Sequence, residues 1–458
     1  MKLTRRQALA GAAASALGAA GIYELVDQLA GSAPARAEAA DAPLREQHLL
    51  EGVRVVRSDG VEVLVPPLHH EIVTGRFTAD RGNVRDAQGE LAKILGDLDK
   101  AYAPTPTGLG VTVAYGRPYF ERLVPGQARR LVPHDRRAGK SVLIDAERFP
   151  SDPPQTRLEA NEVAILLRSD VRAHIDDAEQ RLRKSKLLHF TSIRRGFAGG
   201  GIDGKRSLPK QMALAVGIPG ADLIPETAEL FLGFTSTQRA GMGPGAIANF
   251  ETLGYVDFRG SDYFHHGTHM ALSHIREDVE AWYINFEYDE RVATAFRPNL
   301  RVKQDTQTVP QGPKQVSSAA DVHRQYKQSG RIGHSASIQT TSRLQRDMLG
   351  SDGVLYPMGA AIPVRGDFNT LDNPFHWSEH PGEIGVEPAA GVHFVVFNPT
   401  GDDFRRNRLA MDGVLPGGKI PFEPRAREQG FHSVLSTTHR QNFLVPPRRH
   451  RSFPLAEL

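Results

Sequence analysis

Four histidines crowd the stretch HHGTHMALSH: His265, His266, His269 and His274. Neutral imidazole is a common metal ligand, so the run raises a metal-site reading. On a strand, however, His269 and His274 lie an odd number of residues apart and point to opposite faces. No acidic partner stands at ligand spacing on the same face, and polar residues on a strand and its preceding loop explain the run more simply. A different pair lies further on. His334 sits in GRIGHSASIQTTSR, and Arg365 ends the strand-like start of AAIPVRGDFN. A neutral histidine can hold an iron, and an arginine can stabilise negative charge on a reacting oxygen. Haem peroxidase chemistry needs both. Taken alone, a loop histidine and a strand-end salt bridge are the plainer readings of these two residues.

A third stretch, LFLGFTSTQRAG at 230–241, changes character in its middle. Its apolar run opens at Gly233-Phe234 into hydroxyls, an amide and an arginine, with no carboxylate inside it. Such a run is either an ordinary strand-to-loop exit or an active-site loop that has lost its acid.

The elements that must position these residues follow from periodicity. Val61–Val65 and HHEIVTGRFTA alternate as strands, and 83–102 carries helical spacing through Val84, Leu91, Ile94, Leu95 and Leu98. GLGVTVAYG and EVAILLRSD read as strands, VRAHIDDAEQRLRKS as an amphipathic helix, and KLLHFTSIRRGF as a closing strand. Strand, helix, strand, strand, helix, strand is the ferredoxin-like order. The second half echoes it, with THMALSHIR running into EDVEAWYINF, and GVHFVVFNP running into GDDFRRNRLAMDGV. The predicted fold is α+β: two ferredoxin-like halves with antiparallel sheets, of the dimeric α+β barrel type. Residues 300–330 read as a polar surface excursion.

Composition narrows the function classes. A content of 40% hydrophobic and 24% charged residues is that of a globular chain. A formal charge of +3 over 458 residues argues against a general nucleic-acid or membrane-surface binder. With no cysteine, disulfides, thiolate metal sites and cysteine nucleophiles are excluded. The first forty residues read as a twin-arginine export signal. Arg5-Arg6 precedes an Ala/Gly/Leu stretch and a small-residue region ending SAPARAEAADAP, with cleavage after Ala37 or Ala39. The alternative is an N-terminal amphipathic helix of the fold. No other run approaches a membrane span, so no stable membrane anchor is expected, and the destination is the periplasm or the extracellular space.

The order of the segments resembles the dye-decolourising (DyP-type) peroxidase family, from about residue 60 to about 420. GLGVTVAYGRPYF is similar to the family's first-domain strand and turn. LFLGFTSTQ stands where a Gly-Phe-x-Asp-Gly motif is found, and GTHMALSHIREDVEAW resembles the strand and helix that follow, ending in Trp282. GRIGHSASIQTTSR occupies the place of the proximal histidine segment, IPVRGDFN that of the distal arginine, and VHFVVFNPTGDDF that of the last core strand and helix. The resemblance implies haem b as cofactor, with His334 as the iron ligand, Arg365 as the distal arginine, and Phe234 and Ser236 lining the pocket. Ser236 then stands where the family carries its acid, and a serine is a poor proton shuttle near neutral pH. The implied partners are hydrogen peroxide and a small organic substrate, with homo-oligomerisation left open. The competing reading is a catalytically divergent binding protein of the same fold.

The implied organisation is a leader at 1–40, ferredoxin-like domains at 41–225 and 226–425, and a basic tail at 426–458. The tail, RQNFLVPPRRHRSFP, reads as a solvated segment pinned by Phe443 and Leu444, or as an arm for an anionic ligand through Arg440, Arg448, Arg449 and Arg451.

Overall fold

The computed structural model describes residues 21–30, 45–201, 206–243, 245–310, 316–373, 387–427 and 429–458. Nine strands carry the site: β1 (His69–Phe77), β2 (Gly110–Gly116), β3 (Val163–Ser169), β4 (Leu188–Phe197), β5 (Thr268–Glu277), β6 (Val364–Arg365), β7 (Phe368–Thr370), β8 (Gly391–Asn398) and β9 (Leu435–Val445). Within the first half they run in the order β4-β1-β3-β2. The second half repeats it as β9-β5-β8-β7, with the short β6 also paired to β8. Every pairing around this set is antiparallel.

The halves close into a barrel through two short seams. Phe443 and Leu444 of β9 face Gly116 and Tyr115 of β2, and Asn369 of β7 faces Phe197 of β4. Alternation along each strand then sends one set of side chains inward and the other outward. Ile72, Leu166, Met270, Leu272, Phe368, Val395 and Phe443 fill the barrel interior. In the first half, the outward residues Val73, Val113, Ile165 and Leu167 are covered by α2 (Val84–Ala101) and α3 (Arg172–Ser185), which contribute Leu91, Leu95, Leu98 and Ile175. The two α+β halves with antiparallel sheets expected from the sequence are thus present.

Three segments depart from the expectation. The first lies inside the span read as a leader. Gly21–Tyr23 and α1 (Glu24–Ala30) pack on the body, with Ile22, Tyr23 and Val26 buried against Phe197, α4 (Leu208–Val216) and Leu371. The Tyr23 hydroxyl accepts from the Leu371 N–H at 3.1 Å and donates to Asp372 Oδ1 at 2.9 Å, while Asp27 meets His69 Nε2 at 2.7 Å. The paired arginines and both cleavage positions lie outside the described residues.

The second departure is the tail at 426–458, which is a correction. Leu435–Val445 is β9, hydrogen-bonded to β5 and β2 in the middle of the barrel. Arg440 is buried and donates to Asp152 Oδ1 at 3.0 Å, while Arg448 Nη1 donates to Asp99 at 3.1 Å and Arg451 also pairs with Asp99. Arg440, Arg448 and Arg451 are spent on internal carboxylates and Arg449 donates to the Asp262 carbonyl at 2.8 Å, so the segment is neither a solvated tail nor an anion-binding arm. Thirdly, part of the expected surface excursion is helix α6 (Ala319–Ser329), which starts at a reciprocal Ser318–Asp321 capping box.

Candidate functional site

A cavity of about 270 Å³ lies on the outward face of the second half's sheet. Strand alternation builds its floor, with Ser273, Ile275 and Glu277 from β5 and Val392, Phe394 and Val396 from β8. Two helices form the opposite wall. From α7 (His334–Ser342) come His334, Ile338 and Ser342, spaced by four residues, and from α8 (Gly401–Met411) come Phe404, Asn407, Arg408 and Met411. The third side is the 230–241 loop together with Pro363, Arg365 and Asp367.

All four residues singled out in the sequence, His334, Arg365, Ser236 and Phe234, line this one cavity. His334 is the first residue of α7. Gly333 lets that helix start pressed against another segment, because a Cβ there would overlap the Phe296 carbonyl. Burial, together with the charges of Arg408 and Arg365, lowers the His334 pKa to about 3, so its ring is neutral across the physiological range. Its ring centroid lies 5.0 Å from that of Phe431 and 6.4 Å from that of His432. Phe234 packs edge-on against Phe296 at 4.9 Å.

Arg365 reaches across to donate to the Ser236 backbone carbonyl. A Cβ on Gly241 would stand 3.4 Å from Arg365 Nη2 and 3.8 Å from Arg343 Nη2, so two guanidinium groups approach the same glycine. Arg343 is held there by the carbonyls of Ala240 and Gly359, each at 2.8 Å, and its pKa falls to about 10, through burial first and the Arg365 charge second. On the helix side, Arg408 pairs with Asp412 at 3.0 Å and Asp152 at 3.1 Å.

The hydroxyl-rich loop is not without acids. Glu229 immediately precedes it, and Thr235 and Thr237 both donate to the Glu229 carboxyl, Thr237 at 2.6 Å. Ser236, between them, turns the other way and donates to Asp367 Oδ2 at 3.0 Å. Burial, and next among the forces acting in that direction the charge of Asp367, raises Glu229 to about 7 against the opposing Thr237 bond. The same two causes raise Glu277 on the cavity floor to about 8. The sequence reading missed Glu229, Glu277 and Asp367. Asp367 had a usable signal: it follows Arg365 by two residues, the spacing that keeps both on one face of an extended chain.

The histidine run at 265–274 does not converge on a site. His269 is buried on the outer face of β5 and His274 points into the barrel, where its Nδ1 lies 2.8 Å from Thr438 Oγ1. His265 stands beside Glu251 at 3.4 Å. Among the described residues, no group of three or more histidine or carboxylate side chains is placed to hold a metal ion.

With fold and cavity in view, comparison with known proteins places the chain. It belongs to a family described as a family of unknown function (DUF7405), whose profile matches residues 67–447. No curated protein matches it in sequence. Among solved structures, the DyP-type peroxidase from Cellulomonas bogoriensis is similar in fold at 17% identity, with 86% of this chain and 95% of that one covered and a TM-score of 0.51. The encapsulated DyP-type peroxidase from Mycobacterium smegmatis is similar at 11% identity, over 85% and 96% of the two chains, with a TM-score of 0.49. A variant of DypB from Rhodococcus jostii RHA1 in complex with haem is similar at 12% identity, over 84% and 96%, with a TM-score of 0.44. At these identities the likeness is one of fold.

Proposed function

We propose that the chain is an exported haem peroxidase that oxidises small organic substrates with hydrogen peroxide. The single observation that carries the reading is the convergence of His334, Arg365, Ser236 and Phe234, from three distant segments, on one cavity. The donor set fits a haem. A neutral imidazole faces a chamber walled in part by Phe234, Phe296, Phe394, Phe404 and Phe431, and the two guanidiniums beside Gly241 suit the carboxylates of the macrocycle's edge. The DyP-type fold of the Cellulomonas bogoriensis protein supports the same reading by analogy.

In this reading His334 would hold the iron, Arg343 and Arg365 would meet the carboxylates or the peroxide, and Phe234 and Phe296 would wall off water. Haem, when bound, supplies the two electrons that cleave the peroxide bond. The chain's own contribution is positional and electrostatic. Burial keeps the His334 ring deprotonated and ready to coordinate, and Arg365 presents a fixed cation to charge developing on a peroxide oxygen.

The test is colour. Full-length chain expressed with excess haem should be purified with a Soret band, and His334→Ala should be purified without one while keeping its fold. Colourless wild-type protein would reject the reading and leave a binding protein of the same fold in its place.

We also propose twin-arginine export, which suits a protein folded around its cofactor before transport. The docking of residues 22–26 on the folded body is what the alternative reading, an N-terminal helix of the fold, would give, so the export reading rests on the sequence pattern alone. Replacing Arg5 and Arg6 by lysine should strand the chain on the cytoplasmic side, and normal export of that variant would contradict it.

A further inference from the structure

Peroxide cleavage requires a base that takes a proton from one oxygen and returns it to the other. Ser236 cannot do this well, yet three carboxyl groups line the cavity or stand directly behind its loop. Glu229 is buried behind the loop, its two oxygens occupied by Thr235 and Thr237. Glu277 lines the cavity, but burial raises its pKa to about 8, so its carboxyl is mostly protonated near neutral pH. Asp367 differs from both. It lines the cavity, follows Arg365 by two residues, and has Oδ2 tied to the Ser236 hydroxyl at 3.0 Å. Gly366, between them, donates to the Val395 carbonyl at 2.8 Å, so the placement of Asp367 is set by β8.

We propose that Asp367 is the proton-carrying carboxylate of this site, oriented by the Ser236 hydroxyl. The assignment rests on the haem reading above. Asp367 accepts a proton from one peroxide oxygen and delivers it to the other, ending in the protonation state in which it began. Ser236 is then a positioning residue that restrains the acid's rotation, and not the remnant of a lost one. The acid has moved from the loop to the neighbouring strand connection and still faces the same cavity.

The experiment uses the full chain loaded with haem, with Asp367→Asn and Ser236→Asp as variants and two probes, hydrogen peroxide and hydrogen cyanide. Cyanide must also surrender a proton to bind ferric iron, so its association reports the base without turnover. Asp367→Asn should keep the Soret band, slow the peroxide reaction by ~10²–10⁴-fold, and slow cyanide association in parallel. Ser236→Asp should give no acceleration, because a carboxylate already serves the site. In the haem-free protein, carboxyl NMR should show Glu277 titrating at lower pH in Asp367→Asn, since the charge opposing its ionisation is gone. Unchanged peroxide and cyanide rates in a haem-loaded Asp367→Asn variant would overturn the assignment, as would a gain of about tenfold or more in Ser236→Asp, the mark of an added general base. A wild-type chain that takes up no haem would overturn the proposed function itself, and this assignment with it.

Discussion

Ser236 and Asp367, separated by 131 positions in the chain, are joined by a 3.0 Å hydrogen bond from hydroxyl to carboxylate. The loop therefore alternates: Thr235 and Thr237 face a buried Glu229, and Ser236 faces the cavity. A run that reads as acid-free is packed between two acids.

The acids give the site a pH signature. Glu277 has an ordinary pKa of 4.5 and is raised to about 8 in the fold, by burial first and the Asp367 charge second. Between those values the folded state binds more protons than the unfolded state, so stability falls as pH rises from about 4.5 to about 8. Glu277→Gln should remove its share of that decline. Denaturant unfolding of both proteins at a series of pH values checks the sign, and parallel curves would refute the assignment of the slope to Glu277.

The C-terminal strand makes a stability prediction. Asp152 accepts from Arg440 and Arg408, all three buried. Asp152→Asn leaves Arg440 with a neutral partner while Arg408 keeps Asp412, and should cost about 3–5 kcal/mol, the range for breaking one side of a buried pair. Truncation after Ser436 removes most of β9 and both of its barrel pairings, and should yield no folded protein. Circular dichroism and thermal melting of the two variants decide it.

These two segments also show where the sequence was legible. The strands of the first half and the helix at 84–101 were readable because their apolar residues keep one period throughout. Helix α7 was not, because its buried residues, Ala336 apart, are Ser337, Gln339, Thr340, Thr341 and Ser342. Those hydroxyls satisfy themselves on the preceding turn, Ser337 on the His334 carbonyl at 2.9 Å and Thr340 on that of Ser337 at 2.7 Å. A polar-faced helix leaves no hydrophobic signature. Strand β9 hid for a related reason: Arg440 and Gln441 find partners in Asp152 and Asn161, which only the folded chain brings near. His334 and Arg365 were legible as chemistry, whereas Glu229 and Glu277 carry no local mark of their burial.

The N-terminal segment gives a third prediction. Burying Ile22, Tyr23 and Val26 should stabilise the full chain over one beginning at residue 41. Large apolar side chains contribute about 1.5–3 kcal/mol each when fully buried, an upper range here because part of that surface is hidden in the unfolded chain too. The shortened chain should melt at a lower temperature, and Val26→Asp in the full chain should reproduce most of the drop. Equal melting temperatures would mean that the docked segment contributes nothing to the folded body.

The two arginines beside Gly241 should separate by function. Arg343 is held by two carbonyls and is more deeply buried, which suits a fixed anchor for a carboxylate. Arg365 has one such tie, to the Ser236 carbonyl, and stands within two residues of Asp367. In a haem-loaded chain, Arg343→Ala should weaken haem retention, measured as transfer of the cofactor to a competing apoprotein, and leave the peroxide rate of the remaining holoprotein near wild type. Arg365→Ala should do the reverse. It should keep the Soret band and slow the peroxide reaction by ~10²–10³-fold, the usual loss when one fixed donor to a developing anion is removed. Its pH profile should keep the wild-type shape, because the proton carrier is untouched. Should both variants instead lose haem equally, the pair would be a single carboxylate clamp, and charge stabilisation at the peroxide would have to come from elsewhere in the cavity.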